Sequence, residues 1–144
     1  MPVMHKPQLQ WVIEEAIESG ISDIAIVVRE GCDIVKKYLE IDNKLLKYLK
    51  KTDKSQLMDS VVRLTDNANI TIIEQKESDP YGNGTPYVAA KDFTDGEPVI
   101  GMWGDDLIIR TDPTKPAVID QMLDYYYKFE PTAVMSVRKV PRSE

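Results

Sequence analysis

The chain has 144 residues, 42% of them hydrophobic and 29% charged, and carries a formal net charge of −6. That length suits one domain with a real core, and the balance excludes a disordered chain and a net basic field that binds nucleic acid unselectively. A single cysteine, Cys32, excludes an internal disulfide and a cysteine-built metal cluster. No apolar stretch approaches the roughly 18 residues of a membrane span, and the segment from Met1 to Lys6 does not read as a signal peptide. The expectation is a cytoplasmic protein that contacts neither nucleic acid nor membrane.

In chain order, Pro7 to Gly20 predicts a helix: Leu9, Val12, Ile13, Ala16 and Ile17 recur at three and four, Pro7 suits the first turn and Gly20 the termination. Asp23 to Val28 follows as a short buried strand. Arg29-Glu30-Gly31-Cys32 turns the chain, and Asp33 is placed to cap a helix with Ile34, Val35, Tyr38 and Leu39 on one side. From Asn43 to Lys54, Leu45, Leu46 and Leu49 stand among Lys44, Lys47, Lys50, Lys51 and Lys54. Such a face invites phosphate, but it is more commonly a solvated face beside an apolar stripe. A further helix carries Leu57, Met58, Val61, Val62 and Leu64, and Asp66 to Asn69 is a turn signal.

Ile70 to Gln75 is the second strand. A polar loop, Lys76 to Pro80, leads into Tyr81-Gly82-Asn83-Gly84-Thr85-Pro86 and a short helix through Tyr87 to Ala90. Glycines between strand and helix let backbone approach a ligand. Asp95-Gly96 is a turn, and the stretch Pro98 to Ile109 then carries an apolar run that ends in Gly104 and the acidic pair Asp105-Asp106; bounded by Pro and by Gly-Asp, it reads as a central strand buried on both faces. Asp112-Pro113-Thr114-Lys115-Pro116 opens another helix with Ile119, Met122, Leu123 and Tyr126 on its buried face. Tyr125 to Tyr127 point in successive directions, as core plus rim rather than a stacking platform. Pro131 to Val137 is the last strand. The alternation predicts an α/β fold, a Rossmann-like, mostly parallel sheet with helices on both faces. In such sheets ligands sit beyond the carboxyl ends of the strands, where Asp105 and Asp106 stand. Carboxylates there can hold a divalent cation against phosphate oxygens, or Asp can simply close a turn on nearby amides.

With these elements placed, the residues resemble the bacterial UTP–glucose-1-phosphate uridylyltransferases, within the sugar nucleotidyltransferases. Pro2-Val3-Met4-His5-Lys6-Pro7, with the helix to Gly20 and the strand Ile24 to Val28, is similar to the family's Leu-Pro-Val-Val-Asp-Lys-Pro segment and its next helix and strand. The lysine-rich insertion is similar too. Gln75 with Gly82-Asn83-Gly84 resembles the Gln and Gly-Leu-Gly that meet uracil, and Trp103-Gly104-Asp105-Asp106 resembles the strand end whose first acid binds magnesium. The resemblance implies Gln75, Gly82 and Gly84 as nucleotide-binding residues, Asp105 as the magnesium ligand with Asp106 as a weaker helper, and Mg2+ as cofactor.

It also implies the reaction: attack of glucose-1-phosphate on the α-phosphorus of UTP, giving UDP-glucose and pyrophosphate, with the protein supplying position and charge. Against the family pattern, the glycine-rich strand and loop with its phosphate-gripping residues would precede Met1, and the sugar-binding half would follow Glu144. Lys6 matches a flanking position that braces the loop, His5 stands in place of Asp, and Thr85-Pro86 replaces His-Ala. The expectation is one partial nucleotidyltransferase domain over residues 1–144. It is expected to be inactive alone and prone to self-association as a homo-oligomer, because an open sheet edge promotes pairing. A non-catalytic nucleotide- or partner-binding module is the alternative. A response-regulator receiver is disfavoured, since it needs an acidic pair at its first strand.

Overall fold

A computed structural model describes residues 2–4, 6–40, 43–54, 56–110, 112, 114–137 and 139–142. The chain divides into two compact units, one of residues 1–20 with 103–144 and the other of residues 21–102.

In the first unit, β1 (Pro2–Val3) and β2 (Lys6–Pro7) pair antiparallel, a small ladder the sequence pattern did not announce. Helix α1 (Gln8–Glu18) follows, with Pro7 just before its first residue. Proline suits that place because its missing N–H has no helical partner to lose. The helix ends as expected: Gly20 takes φ +81°, which only glycine adopts without cost, and donates to the Ile17 carbonyl. Val12, Ile13 and Ala16 are buried, as is the polar Gln10, whose amide donates to Glu14. Lys6 reaches across to pair with Glu14 and lies over the Trp11 ring, so β2 is tied to α1 by charge and by cation–π contact. His5 lies outside the described residues.

Helix α7 (Val118–Phe129) begins later than the Asp112 signal suggested. Asp112 instead closes a turn: the hydroxyl and then the amide of Thr114 bond its carboxylate and lower its pKa. Ile119 is buried, Met122, Leu123 and Tyr126 are half-buried, and Tyr125 and Tyr127 are exposed, matching core plus rim.

In the second unit, β3 (Asp23–Arg29) and β4 (Asn69–Gln75) form a parallel ladder in continuous register, from Asp23 opposite Asn69 to Arg29 opposite Gln75. Three helices connect them: α2 (Asp33–Leu39), α3 (Asn43–Lys51) and α4 (Gln56–Asn67). Parallel neighbours require such a crossover, and the order helix, strand, helices, strand is the predicted one. Leu49, Leu64 and Ala68 are buried, while Lys44, Lys47, Lys50, Lys51 and Lys54 are exposed, so α3 has the solvated face expected of it. Asp33 is the first helical residue of α2 rather than its cap, and Ile34 is 74% exposed instead of packed. Two short helices, α5 (Thr85–Ala89) and α6 (Lys91–Thr94), follow β4 and end in a turn with Asp95 and Gly96 both at positive φ.

Two expected strands are absent. Residues 97–110 and 131–137 carry no strand, so Pro98 to Ile109 is not a central strand and Pro131 to Val137 is not a last one. An apolar run becomes a strand only by bonding a neighbour's backbone, and among the described residues neither segment has one. The predicted burial fails with it, since Val99 is 52% and Ile109 73% exposed.

Candidate functional site

Gln75 is the last residue of β4, at the carboxyl end of the parallel pair, and it is half-buried. Its carbonyl accepts the Glu30 amide, joining the exits of the two strands. Carboxylates lace the loops around it: Glu74 accepts the Gly31 amide, Glu30 accepts the Glu77 amide at 2.9 Å, and Asp79 accepts the Lys76 amide at 2.9 Å. These three acids were not singled out from the sequence, because their partners are backbone amides up to 47 residues away. They fix the geometry of the loops at this end of the sheet.

The glycine loop stands next in the chain. Gly82 and Gly84 are exposed, and nothing lies within 4 Å of where a Cβ would be added at either. Gly82 accepts the Thr85 amide, Gly84 accepts those of Tyr87 and Val88, and the Thr85 hydroxyl donates to the Pro80 carbonyl at 2.6 Å. Pro86 falls in the first turn of α5, where the amide it lacks would have had no helical partner. Its presence therefore costs the helix little. Gln75, Gly82 and Gly84 thus share one unit, and α5 contacts β4.

Further along, Gly101 is packed against Tyr87 of α5, so closely that a Cβ at Gly101 would lie 2.7 Å from Tyr87 Cζ, with the hydroxyl closer still. Asp105 and Asp106 belong to the other unit. Both are exposed, in a turn closed by the Asp106 amide on the Trp103 carbonyl. Among the described residues no three His, Cys, Asp or Glu side chains converge as a metal site would need. The pair still suits magnesium in donor type, since that ion takes hard oxygens and commonly uses one or two carboxylates, leaving other positions to water and phosphate.

No family model matches the chain. Its relatives are nonetheless specific: UTP–glucose-1-phosphate uridylyltransferase of Bacillus subtilis is 31% identical over 144 residues, covering all of this chain and 47% of that protein. The same enzyme of Staphylococcus epidermidis is 33% identical over 146 residues, covering all of this chain and 48% of that one. Among solved structures, apo UDP-glucose pyrophosphorylase superposes with a TM-score of 0.78 at 25% identity over 90% of this chain and 46% of the other. The enzyme complexed with UDP-glucose gives 0.73 at 25% identity, over 90% and 45%. The chain is therefore similar along its whole length to part of the UTP–glucose-1-phosphate uridylyltransferases, and spans about half the length of the curated relatives it matches.

Proposed function

We propose that this chain is the nucleotide-binding segment of a UTP–glucose-1-phosphate uridylyltransferase, the enzyme that joins UTP and glucose-1-phosphate into UDP-glucose and pyrophosphate. The observation that carries the reading is the match over every residue of the chain to enzymes of that name, with the same fold. In it, Gln75 offers an amide to the uracil edge, and the backbone at Gly82 and Gly84 approaches the base where a side chain would intervene. Asp105, with Asp106 as an outer helper, would hold magnesium, which would supply charge neutralisation for the transfer.

The chain's own part is to hold the base and the metal. Transfer also requires cationic groups on the phosphates and a sugar site, and neither is assigned to any residue here. The 144-residue chain alone accordingly gives no turnover with UTP, glucose-1-phosphate and magnesium, and a rate near that of a complete relative would refute the segment reading. The second reading, a binding module, is favoured by the solvent-open glycine loop. Calorimetry separates the two: a module binds UTP with magnesium and loses affinity on Asp105→Ala, whereas a segment that needs the rest of the enzyme binds neither. A cytoplasmic location and a homo-oligomeric state complete the proposal.

A further inference from the structure

Helix α3 concentrates positive charge in an acidic chain. Residues 43–54 hold five lysines against one aspartate, a surplus of four positive charges where the total is −6, so the remainder carries −10. Lys44, Lys47, Lys50, Lys51 and Lys54 are all exposed, and among the described residues Lys47, Lys50, Lys51 and Lys54 pair with no acid. Their order is regular. Lys44, Lys47 and Lys51 follow at three and four residues and share one side of the helix, and the Lys54 amide returns to the Leu49 carbonyl at 2.8 Å, which keeps that lysine at the helix end. Leu49 is buried, whereas Tyr48 is 63% exposed and borders Lys44 and Lys51 at four and three residues. Like charges at these spacings work against a helix, and α3 holds no acid to offset them. A counter-charge brought from outside relieves that repulsion. Lysine is almost never fully buried unless paired, so this face lies at the surface in whatever larger assembly α3 stands.

We propose that this face of α3 docks a short acidic segment of another protein, with Asp or Glu recurring at three and four residues and an apolar side chain to cover Tyr48. Acids at that spacing on a helix climb at the same rise, about 1.5 Å per residue, so they meet Lys44, Lys47 and Lys51 one to one. The charge of the remainder selects a narrow partner. A lipid bilayer is an extended anionic plane that meets the acidic rest of the chain together with α3, and the two effects oppose, whereas a single segment touches the lysines alone. The residue type points the same way. Helix α3 contains no arginine, the side chain whose planar fork grips phosphate through two bonds, and lysine heads serve carboxylates as point charges. The proposal goes beyond the uridylyltransferase reading and holds whether or not the chain binds UTP.

Exposed ion pairs are individually weak, so dissociation lies at about 0.1–1 mM in low salt. The probe is a peptide of about 14 residues of Ala, Leu and Glu, with Glu at three- and four-residue spacing, titrated into the isotope-labelled chain and followed by amide NMR. Shift changes concentrate in residues 43–54, and raising salt from about 20 to about 200 mM weakens binding about tenfold. Lys47→Glu with Lys51→Glu weakens it by about tenfold or more. Lys91→Glu with Lys115→Glu makes the same change of net charge at exposed lysines elsewhere, and alters binding less than about threefold. No shift change in residues 43–54 at about 2 mM peptide overturns the proposal. Equal losses in the two double variants overturn it as well, since net charge rather than this face would then be responsible. Vesicles of phosphatidylcholine with about 30% phosphatidylserine leave the chain in solution; sedimentation with them that Lys47→Glu and Lys51→Glu abolish would give the face to lipid and overturn the acidic segment. The titration and its salt dependence use the unaltered chain and decide even where a variant fails to fold.

Discussion

Gly101 is the residue whose identity the packing most directly enforces. The Tyr87 ring occupies the space a Cβ would fill, with Cζ at 2.7 Å and Cε1 at 2.9 Å from that position. These are ring atoms of a side chain on α5, so relief requires moving the ring and not merely the tip of a flexible chain. Gly101→Ala should cost about 1–3 kcal/mol, the usual range for overpacking, and thermal melting measures it. Tyr87→Ala makes room for the methyl group, so in that background the same change should cost less than half as much. Equal costs in both backgrounds would show that the ring is not what excludes the methyl group.

Glu15 tests electrostatics at the same scale. Burial, and then repulsion from Glu18, raises its pKa above the ordinary 4.5. The native carboxyl keeps a proton that the unfolded chain gives up, so this group's contribution weakens as pH rises from 4.5 through the raised value. Glu15→Gln should therefore raise the melting temperature at pH 7 by about 1–2 °C, and the gain should vanish near pH 4. Asp23 behaves oppositely. Bonds first from Asn69 and then from Ser22 hold its pKa below 3.8, so its contribution is full above 3.8 and is lost only as pH falls through the lowered native value.

At the scale of elements, the helices were legible because each carries its own evidence. The apolar spacing from Leu9 to Ile17 and the stop at Gly20 are local facts, and α1 follows them. Strands β3 and β4 were legible for a related reason: both are short, β-branched and joined by a crossover that brings them side by side. Pro98 to Ile109 is also largely apolar and is no strand, because strand character depends on a partner that composition does not supply. The site shows the same division. The glycines were marked by their place between a strand and a helix and Gln75 by resemblance alone, but the carboxylates of Glu30 and Glu74 act on amides distant in sequence, and nothing local marks them. The Tyr87–Gly101 contact was equally hidden.

Leu64 offers an element-scale test of where the second unit keeps its stability. It is 2% exposed near the end of α4, the helix that delivers the chain into β4. Leu64→Ala removes buried methyl groups and leaves a cavity, for an expected loss of about 2–5 kcal/mol. Ile34→Ala, on the exposed side of α2, should change stability by about 0.5 kcal/mol or less. Chemical denaturation of both distinguishes a unit held by its crossover helices from one held by the whole apolar pattern.

For the molecule as a whole, charge and apolar exposure oppose one another. Ile34, Val99, Ile109, Tyr127, Met135 and Val137 are all exposed, which favours association, while a net charge of −6 at pH 7 keeps copies apart. Protonating the carboxylates removes that repulsion, and the charge passes through zero near the sequence pI of 4.9. Light scattering at fixed concentration should rise as pH falls from 8, peak near pH 5, and decline again below about pH 4 as the chain becomes positive. This association is open-ended, because scattered apolar side chains set no stoichiometry. Arg29→Glu lowers the pI and should move the scattering maximum to lower pH without removing it. A maximum that stayed at its original pH would show that net charge is not what keeps the copies apart.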